Sequence, residues 1–361
     1  MADPTLDLLR RLSEAFGPPG HEHAVRRIFA QEVGGELRTD RVGSVMAELP
    51  GSAAAPRVML ESHLDEVGFA VRSITPEGFL KITTLGSWWG HTLPAQRVRI
   101  LTRRGDELLG VITSKPPHFL SEEERATVQK PDQLCIDVGA SSAAQASREF
   151  GIAPGDPIVP DVAFTTLRNA DLLLGKAFDN RAGTGVLIQA LQQLRQLPHP
   201  NTIVGVGAVQ EEVGARGARC AVAMAKPDLA IVLEGAPADD TPGCTLSEAQ
   251  GALGRGGQIR LLDPTALMNR PLAHWVIDLA AELGLPHQVA VRTSGGTDAS
   301  AIHLHELGVP TVVIGVPARY IHTHQSMIHR HDYHAVLQLV LAIGQRLDAA
   351  VAARCTDFLG H

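Results

Sequence analysis

Six residues with side chains suited to metal binding or proton transfer occupy similar positions in this sequence. Each follows a short apolar run or lies at the start of a helical pattern. The apolar runs end near residues 60, 209, 233 and 316. Because the carboxyl ends of strands in an open α/β sheet meet at one edge, side chains that are far apart in sequence converge there. We therefore expect a single site built from His63, Asp179, Glu211, Glu212, Glu234 and His322.

This set of side chains fits a site for two divalent metal ions. An aspartate such as Asp179 can bridge two ions, each of which also takes one histidine and one carboxylate, with a water molecule between them. One carboxylate of the Glu211-Glu212 pair then remains free to act as a general base, because neighbouring side chains of an extended segment point apart. Asp65, two residues after His63, is placed to orient that imidazole.

Each of these residues taken alone has a simpler explanation. Asp179 could cap the helix that follows it, Glu211 and Glu212 could lie in a solvated loop, and His63 could be a hydrogen-bonded residue at a strand end. Glu234 is harder to explain in this way, because a carboxylate directly behind a buried strand needs a partner. Their joint occurrence at successive strand ends favours the metal site.

His322 opens a histidine-rich segment whose other members we expect to be mostly neither ligand nor base. A run of this kind is often a solvated surface or an incidental metal binder. These other histidines are His324, His329, His331 and His334.

Strand and helix patterns alternate along most of the chain, which predicts an α/β fold with a mixed sheet flanked by helices. Two short helices, separated by the Gly-Pro-Pro-Gly sequence at 17–20, are predicted for the first 34 residues. Further helices are predicted at 180–194, 271–283, 297–307 and 333–353. The last of these would bury Val336, Val340, Ile343, Leu347 and Val351 at helical spacing.

The stretch from 69 to 165 has a different character. It contains alternating segments typical of half-buried strands, with turns between them and few amphipathic helices. We expect it to be a small β domain inserted into the α/β domain. The catalytic domain would then be discontinuous, formed by residues 1–68 and 166–361.

Composition limits the classes of partner. The 361 residues carry a net charge of −7 with a pI near 6.1, which argues against nucleic acid or an anionic membrane as a partner. With 9 Phe, 3 Trp and 2 Tyr, a sugar-binding face of stacked rings would be difficult to assemble. Four widely spaced cysteines, no secretory signal and no apolar run of membrane-spanning length indicate a cytoplasmic protein.

Seven segments, taken in order along the chain, carry the motifs of a known family. They are 17–22 (GPPGHE), 61–69 (ESHLDEVGF), 115–118 (KPPH), 177–181 (AFDNR), 210–214 (QEEVG), 295–299 (GGTDA) and 319–322 (RYIH). The sequence resembles the M42 metallo-aminopeptidases, which include the tetrahedral (TET) aminopeptidases of glutamyl and leucyl type. The resemblance covers nearly the whole chain.

The resemblance implies a specific ligand set. His63 and Glu234 would hold one metal ion, Glu212 and His322 would hold the other, and Asp179 would bridge the two. Zinc or cobalt is the implied metal, with manganese as a further candidate.

The resemblance also implies a mechanism and an assembly. Glu211 would be the general base on the water between the ions, and Asp65 the orienting acid. The substrates would be peptides with a free N-terminus. The catalytic domain would have a phosphorylase/hydrolase-like fold of the zinc-peptidase type. Subunits would form dimers through the inserted β domain, and the dimers would assemble into a homo-oligomer, a dodecamer.

Two departures from the family pattern leave the substrate preference open. Position 234 is Glu where the family often has Asp, and the segment after His322 is rich in histidine. Three other functions remain as alternatives: a related dinuclear amidohydrolase such as a deacylase, an endoglucanase-type glycoside hydrolase, and a metal-binding protein without activity. A glycoside hydrolase would use two carboxylates and leave both histidines without a role.

Overall fold

A twelve-stranded mixed sheet and a six-stranded closed barrel form the framework of the protein, in a computed structural model that describes residues 3–359. The strands are β1 (Leu37–Thr39), β2 (Val45–Leu49), β3 (Arg57–His63), β4 (Gly68–Ile74), β5 (Leu80–Leu85), β6 (Arg97–Leu101), β7 (Glu107–Ile112), β8 (Cys135–Asp137), β9 (Pro157–Pro160), β10 (Thr165–Thr166), β11 (Leu172–Gly175), β12 (Thr202–Ala208), β13 (Leu229–Pro237), β14 (Gly257–Asp263), β15 (Ala266–Leu267), β16 (His287–Val291), β17 (Thr311–Arg319) and β18 (Ser326–His329). The helices are α1 (Pro4–Glu14), α2 (His23–Val33), α3 (Glu122–Ala126), α4 (Phe178–Leu194), α5 (Arg216–Ala225), α6 (Arg270–Glu282), α7 (Ala299–Ile302), α8 (Arg330–Arg346) and α9 (Ala349–Thr356).

Four parallel strands, in the order β12, β3, β13 and β17, form the centre of the large sheet. Their residues are buried almost without interruption, as expected for strands covered by helices on both faces. Antiparallel strands extend the sheet on both sides, with β14 pairing with β17. The predicted fold, a mixed sheet flanked by helices, is confirmed.

The small barrel closes through the strand order β4, β5, β8, β7, β6 and β9. Its interior is a separate apolar core that includes Phe69, Ile82, Val98 and Ile158. The barrel leaves the large sheet at Gly68, only five positions after β3 ends at His63. The inserted β domain is therefore joined to the sheet right beside one of the candidate metal ligands.

The C-terminal helix predicted at 333–353 is instead two helices. α8 ends at Arg346, and α9 starts behind Asp348, whose side chain accepts a hydrogen bond from the backbone N–H of Val351 at 2.9 Å. Capping by Asp348 begins a new helix axis, and the two helices are bent by 96°. All five residues predicted to be buried on this segment are buried.

The helix predicted at 297–307 is also wrong in its length, because α7 covers only Ala299–Ile302. Leu304 is 71% exposed and Leu307 fully exposed. The apolar residues whose spacing predicted a longer helix therefore do not pack against the core. Without such packing, a short helix has little to stabilise further turns.

Within residues 3–359, no single helix is long and apolar enough to cross a bilayer. Only the bent pair of α8 and α9, taken together, reaches the required length and composition.

Candidate metal centre

The five predicted metal ligands meet at one edge of the parallel strands. His63 is the last residue of β3, while Glu212 and His322 lie in the segments that follow β12 and β17. Glu234 does not lie at a strand end, as its position behind the apolar run suggested, because β13 continues to Pro237. Asp179 comes from the start of α4.

A glycine allows α4 to begin against β13. A Cβ at Gly235 would lie 2.2 Å from the backbone oxygen of Phe178 and 2.7 Å from the Cα of Asp179. Only a residue without a side chain permits this approach. The amide of Asn180 secures the same contact by donating a hydrogen bond to the carbonyl oxygen of Leu233 at 2.7 Å.

The ligands form two groups that share Asp179. Nε2 of His63 lies 3.3 Å from one carboxylate oxygen of Asp179 and 3.5 Å from Glu234. Nε2 of His322 lies 3.3 Å from the other oxygen of Asp179 and 3.5 Å from Glu212. Within each group the potential ligand atoms are all within 4.8 Å of one another.

Glu211 and Asp65 lie beside this centre. A carboxylate oxygen of Glu211 is 3.9 Å from Nε2 of His63. Asp65 is buried, and its two oxygens accept hydrogen bonds from the backbone N–H groups of Glu211 at 2.9 Å and Glu212 at 3.0 Å. It also lies 3.6 Å from Nδ1 of His63, whose nearer neighbour is the backbone oxygen of Asp65 at 3.2 Å. Asp65 thus fixes the backbone of the glutamate pair, a contact that sequence reasoning missed.

The inserted barrel domain supplies a second contact that the sequence did not indicate. The carbonyl oxygen of Ser87, in the segment after β5, lies 2.9 Å from Nδ1 of His322. The Ser87 carbonyl oxygen accepts the Nδ1 hydrogen and directs Nε2 of His322 at Asp179 and Glu212, where a metal ion can take the place of the Nε2 proton. Gly86 precedes this carbonyl, and a Cβ on it would lie 2.7 Å from Val67 and 3.2 Å from Glu212.

Crowding of buried acids shifts their ionisation. Burial raises the pKa of Glu212 to about 8 and that of Glu211 well above its usual range. Burial also works to raise the pKa of Asp179, but the hydrogen bonds with His322 and His63 outweigh it and hold that pKa well below its usual value. Burial lowers the pKa of His322, but Asp179 and Glu212 outweigh this and raise it to about 10. So many buried carboxylates favour a bound cation.

The donor atoms fit two divalent metal ions. Imidazole nitrogens and carboxylate oxygens suit zinc, cobalt and manganese. Among residues 3–359, Oε1 of Glu212 is one of the buried side-chain oxygens with no hydrogen-bond partner. A buried oxygen without a hydrogen-bond partner is readily explained if that oxygen binds a metal ion.

A cavity of about 520 Å³ opens onto these side chains. The cavity is also lined by residues 294–297 and by Arg219 and Arg260. A larger groove of about 810 Å³ lies elsewhere, between Gly51 and His199, but no carboxylate lines it. We therefore assign the functional site to the smaller cavity.

A buried ion cluster supports the segment that carries Asp179. The carboxylate of Glu66 accepts hydrogen bonds from Nζ of Lys176 at 2.5 and 2.6 Å and from Arg181 at 3.0 Å. All three side chains are at most 1% exposed. Lys176 and Arg181 flank Asp179 in sequence, so this cluster fixes both sides of the bridging residue against the segment after β3.

The sequence pattern of the M42 glutamyl aminopeptidase family matches residues 43–339. The chain belongs to this family. The resemblance noted in the sequence is thus confirmed, and the protein is a peptide hydrolase. Glutamyl aminopeptidase of Lactococcus lactis is 34% identical to this M42 peptidase over 358 residues, covering 98% of this chain and 99% of the relative.

Solved structures of similar proteins share the fold. A TET aminopeptidase from a marine sediment thaumarchaeote is 39% identical, with a TM-score of 0.93 over 98% of this chain and 99% of that one. The TET1 peptidase of Pyrococcus horikoshii is 28% identical, with a TM-score of 0.83 over 95% and 99% of the two chains. That peptidase is described as assembling into a tetrahedron or a large octahedral shell.

Proposed function

We propose that this M42 peptidase is a dinuclear metal-dependent aminopeptidase that removes N-terminal residues from peptides. The observation that carries the proposal is the pair of ligand groups that share Asp179, one with His63 and Glu234 and the other with His322 and Glu212. Zinc or cobalt is the preferred metal, with manganese as a further candidate. When bound, the ions would polarise the peptide carbonyl and make a water molecule more acidic.

The side chains of the protein divide the remaining tasks. Glu211 takes the proton from the attacking water and delivers it to the leaving amine. Asp65 holds the backbone of Glu211 and Glu212, so that the base and a ligand keep a fixed relation to each other.

A digest of a peptide library, read by mass spectrometry, tests this function. Half of the peptides carry a free N-terminus and half are N-acetylated, and metal-free protein is compared with protein given zinc, cobalt or manganese. We expect stepwise loss of single residues from free N-termini, and only with metal. Loss of the acetyl group would indicate a deacylase. No reaction with any peptide would contradict the proposal and leave a glycoside hydrolase or an inactive metal-binding protein.

His322→Ala tests the ligand assignment. We expect the variant to lose at least one of two metal ions per subunit and most of its peptidase activity, because each ion is held by a single histidine. Plasma mass spectrometry of the dialysed variant gives the metal content. Exposed His91 serves as the control, and His91→Ala should retain both ions. Full occupancy in His322→Ala would remove this residue from the ligand set.

Asp65→Asn tests the positioning of the glutamate pair. An amide presents a donor where the carboxylate accepted two backbone N–H groups, so one of these hydrogen bonds is lost. We expect kcat to fall by about 10- to 100-fold while the protein remains folded. Steady-state kinetics and far-UV circular dichroism provide the measurements. An unchanged kcat would show that the two hydrogen bonds have no part in turnover.

The proposal extends to domains and assembly. We propose that residues 1–68 and 166–361 form the catalytic domain, that 69–165 form a domain for dimer contacts, and that the dimers build a dodecamer, in line with the TET relatives. The four cysteines are unpaired, which supports a cytoplasmic location. Gel filtration with light scattering checks the assembly, and a monomer mass would contradict it.

A further inference from the structure

A further group of potential metal ligands lies outside the proposed dinuclear centre. Asp171, His329 and His331 present potential metal-ligand atoms within 4.8 Å of one another, one of three such groups in residues 3–359. None of these three residues lines the cavity that opens onto Asp179. Two of them belong to the histidine-rich segment, for which the sequence indicated a solvated surface or an incidental metal binder.

Regular backbone holds the three residues in place. β11 and β18 pair in antiparallel fashion, with Leu172 opposite His329. The backbone N–H of Arg330 donates to the carbonyl oxygen of Asp171 at 2.8 Å, which closes the pair at this end. His331 follows in the first turn of α8. Ligands on paired strands and a helix start need little rearrangement to bind an ion.

The spacing of the side chains suits a small divalent ion. With metal–ligand distances of about 2.0–2.1 Å, ligand atoms around a tetrahedral zinc lie roughly 3.4 Å apart. Nε2 of His331 and Oδ1 of Asp171 are 3.4 Å apart. The rings of His329 and His331 lie 5.0 Å apart, centre to centre. The side chain of His331 is 66% exposed, so an ion can reach the group from solvent.

No single local role accounts for all three side chains of this group. Asp171 and His331 could form an ordinary surface ion pair, and Nδ1 of His329 accepts a long hydrogen bond of 3.3 Å from the backbone N–H of His331 at the start of α8. Neither role requires both imidazoles and the carboxylate to converge. The negative charge of the nearby Asp332 also favours a cation at this place.

We propose that Asp171, His329 and His331 form a separate site for a transition-metal ion of the zinc, cobalt, nickel or copper class. Two imidazoles and one carboxylate suit these ions, whereas magnesium and calcium prefer oxygen ligands alone. Three protein ligands leave a fourth position for water or for a donor from another molecule. This site is independent of the peptidase chemistry proposed above.

Zinc binding to full-length protein tests the site. Chelator-treated protein is dialysed to equilibrium against defined free zinc, and plasma mass spectrometry gives the zinc bound per subunit. His331→Asn and Asp171→Asn each remove one ligand from a surface position without removing the helix-capping residue. His305→Asn is the matched control, because His305 lies 3.8 Å from the carboxylate of Glu306 but belongs to none of the ligand groups found in residues 3–359.

We expect the wild-type protein and His305→Asn to hold one zinc ion per subunit more than His331→Asn and Asp171→Asn. Peptidase activity should be the same in all four proteins, because the site is separate from the cavity. The same zinc content in all four would overturn the proposal. Since the result is a difference among these proteins, it does not depend on how many ions the dinuclear centre holds, and failure of the proposed peptidase mechanism would leave it unaffected.

Discussion

Glu211→Gln is expected to lower kcat by about 10²- to 10⁴-fold, the usual contribution of a general base. Glutamine keeps the shape of the side chain but cannot take a proton from water. Of the four carboxylates that line the cavity, that of Glu211 belongs to neither ligand group, although it lies 3.9 Å from Nε2 of His63. Its substitution should therefore leave both metal ions in place. Kinetics on a peptide with a free N-terminus, together with metal analysis, measures the two effects separately.

The control for this experiment is Glu306→Gln, a loss of the same charge at a side chain that is 80% exposed. Its kcat should equal that of the wild-type protein. If Glu211→Gln retained close to the wild-type rate with full metal content, Glu211 would not be the base. If it lost its metal, the decrease in rate would reflect a ligand role, and the assignment of the two neighbouring glutamates would have to be exchanged.

Glu66→Gln is expected to have the largest effect on stability, lowering the free energy of unfolding by about 3–5 kcal/mol. The carboxylate is the counterion that Lys176 and Arg181 share, and both cations have fully buried side chains. Removing its charge leaves two buried positive groups with backbone carbonyl oxygens as hydrogen-bond acceptors but without their counterion. Urea unfolding followed by circular dichroism gives the change from the shift in midpoint.

Glu48→Gln provides the matched comparison. Glu48 also binds two cations, with distances of 3.0 Å to Arg57 and 3.1 Å to Arg38, but its side chain is 35% exposed. Water screens such pairs, so we expect a loss of about 0–1 kcal/mol. Equal losses in the two variants would mean that burial of the Glu66 cluster contributes little. We also expect weaker metal binding in Glu66→Gln alone, because Lys176 and Arg181 flank Asp179.

The central sheet could be predicted because its strands are buried on both faces and therefore appear as continuous apolar runs. The convergence of His63, Glu212 and His322 followed from the rule that parallel strands present their carboxyl ends at one edge. Asp179 was harder to place from physical rules, since its position depends on how closely α4 approaches Gly235. The choice between Glu211 and Glu212 as ligand came only from resemblance to a family.

Other features had no usable signal in the sequence. The carbonyl oxygen of Ser87 is a backbone atom, present in every residue, so no side-chain pattern could assign it to His322. The break between α8 and α9 depends on capping by Asp348. The apolar residues keep their helical spacing across the break, so the sequence pattern predicts one continuous helix. The shortness of α7 reflects the missing packing of Leu304 and Leu307, which only the tertiary structure reveals.

The contact between Ser87 and His322 has a consequence for any attempt to shorten this enzyme. The barrel has a core of its own, and its first and last strands, β4 and β9, pair with each other, so its removal would leave the large sheet uncut. Deleting it would nevertheless remove the oxygen that keeps the His322 ring turned toward Asp179. The His322 ring would then be held through Nε2 alone, so the barrel contributes directly to the geometry of the metal centre.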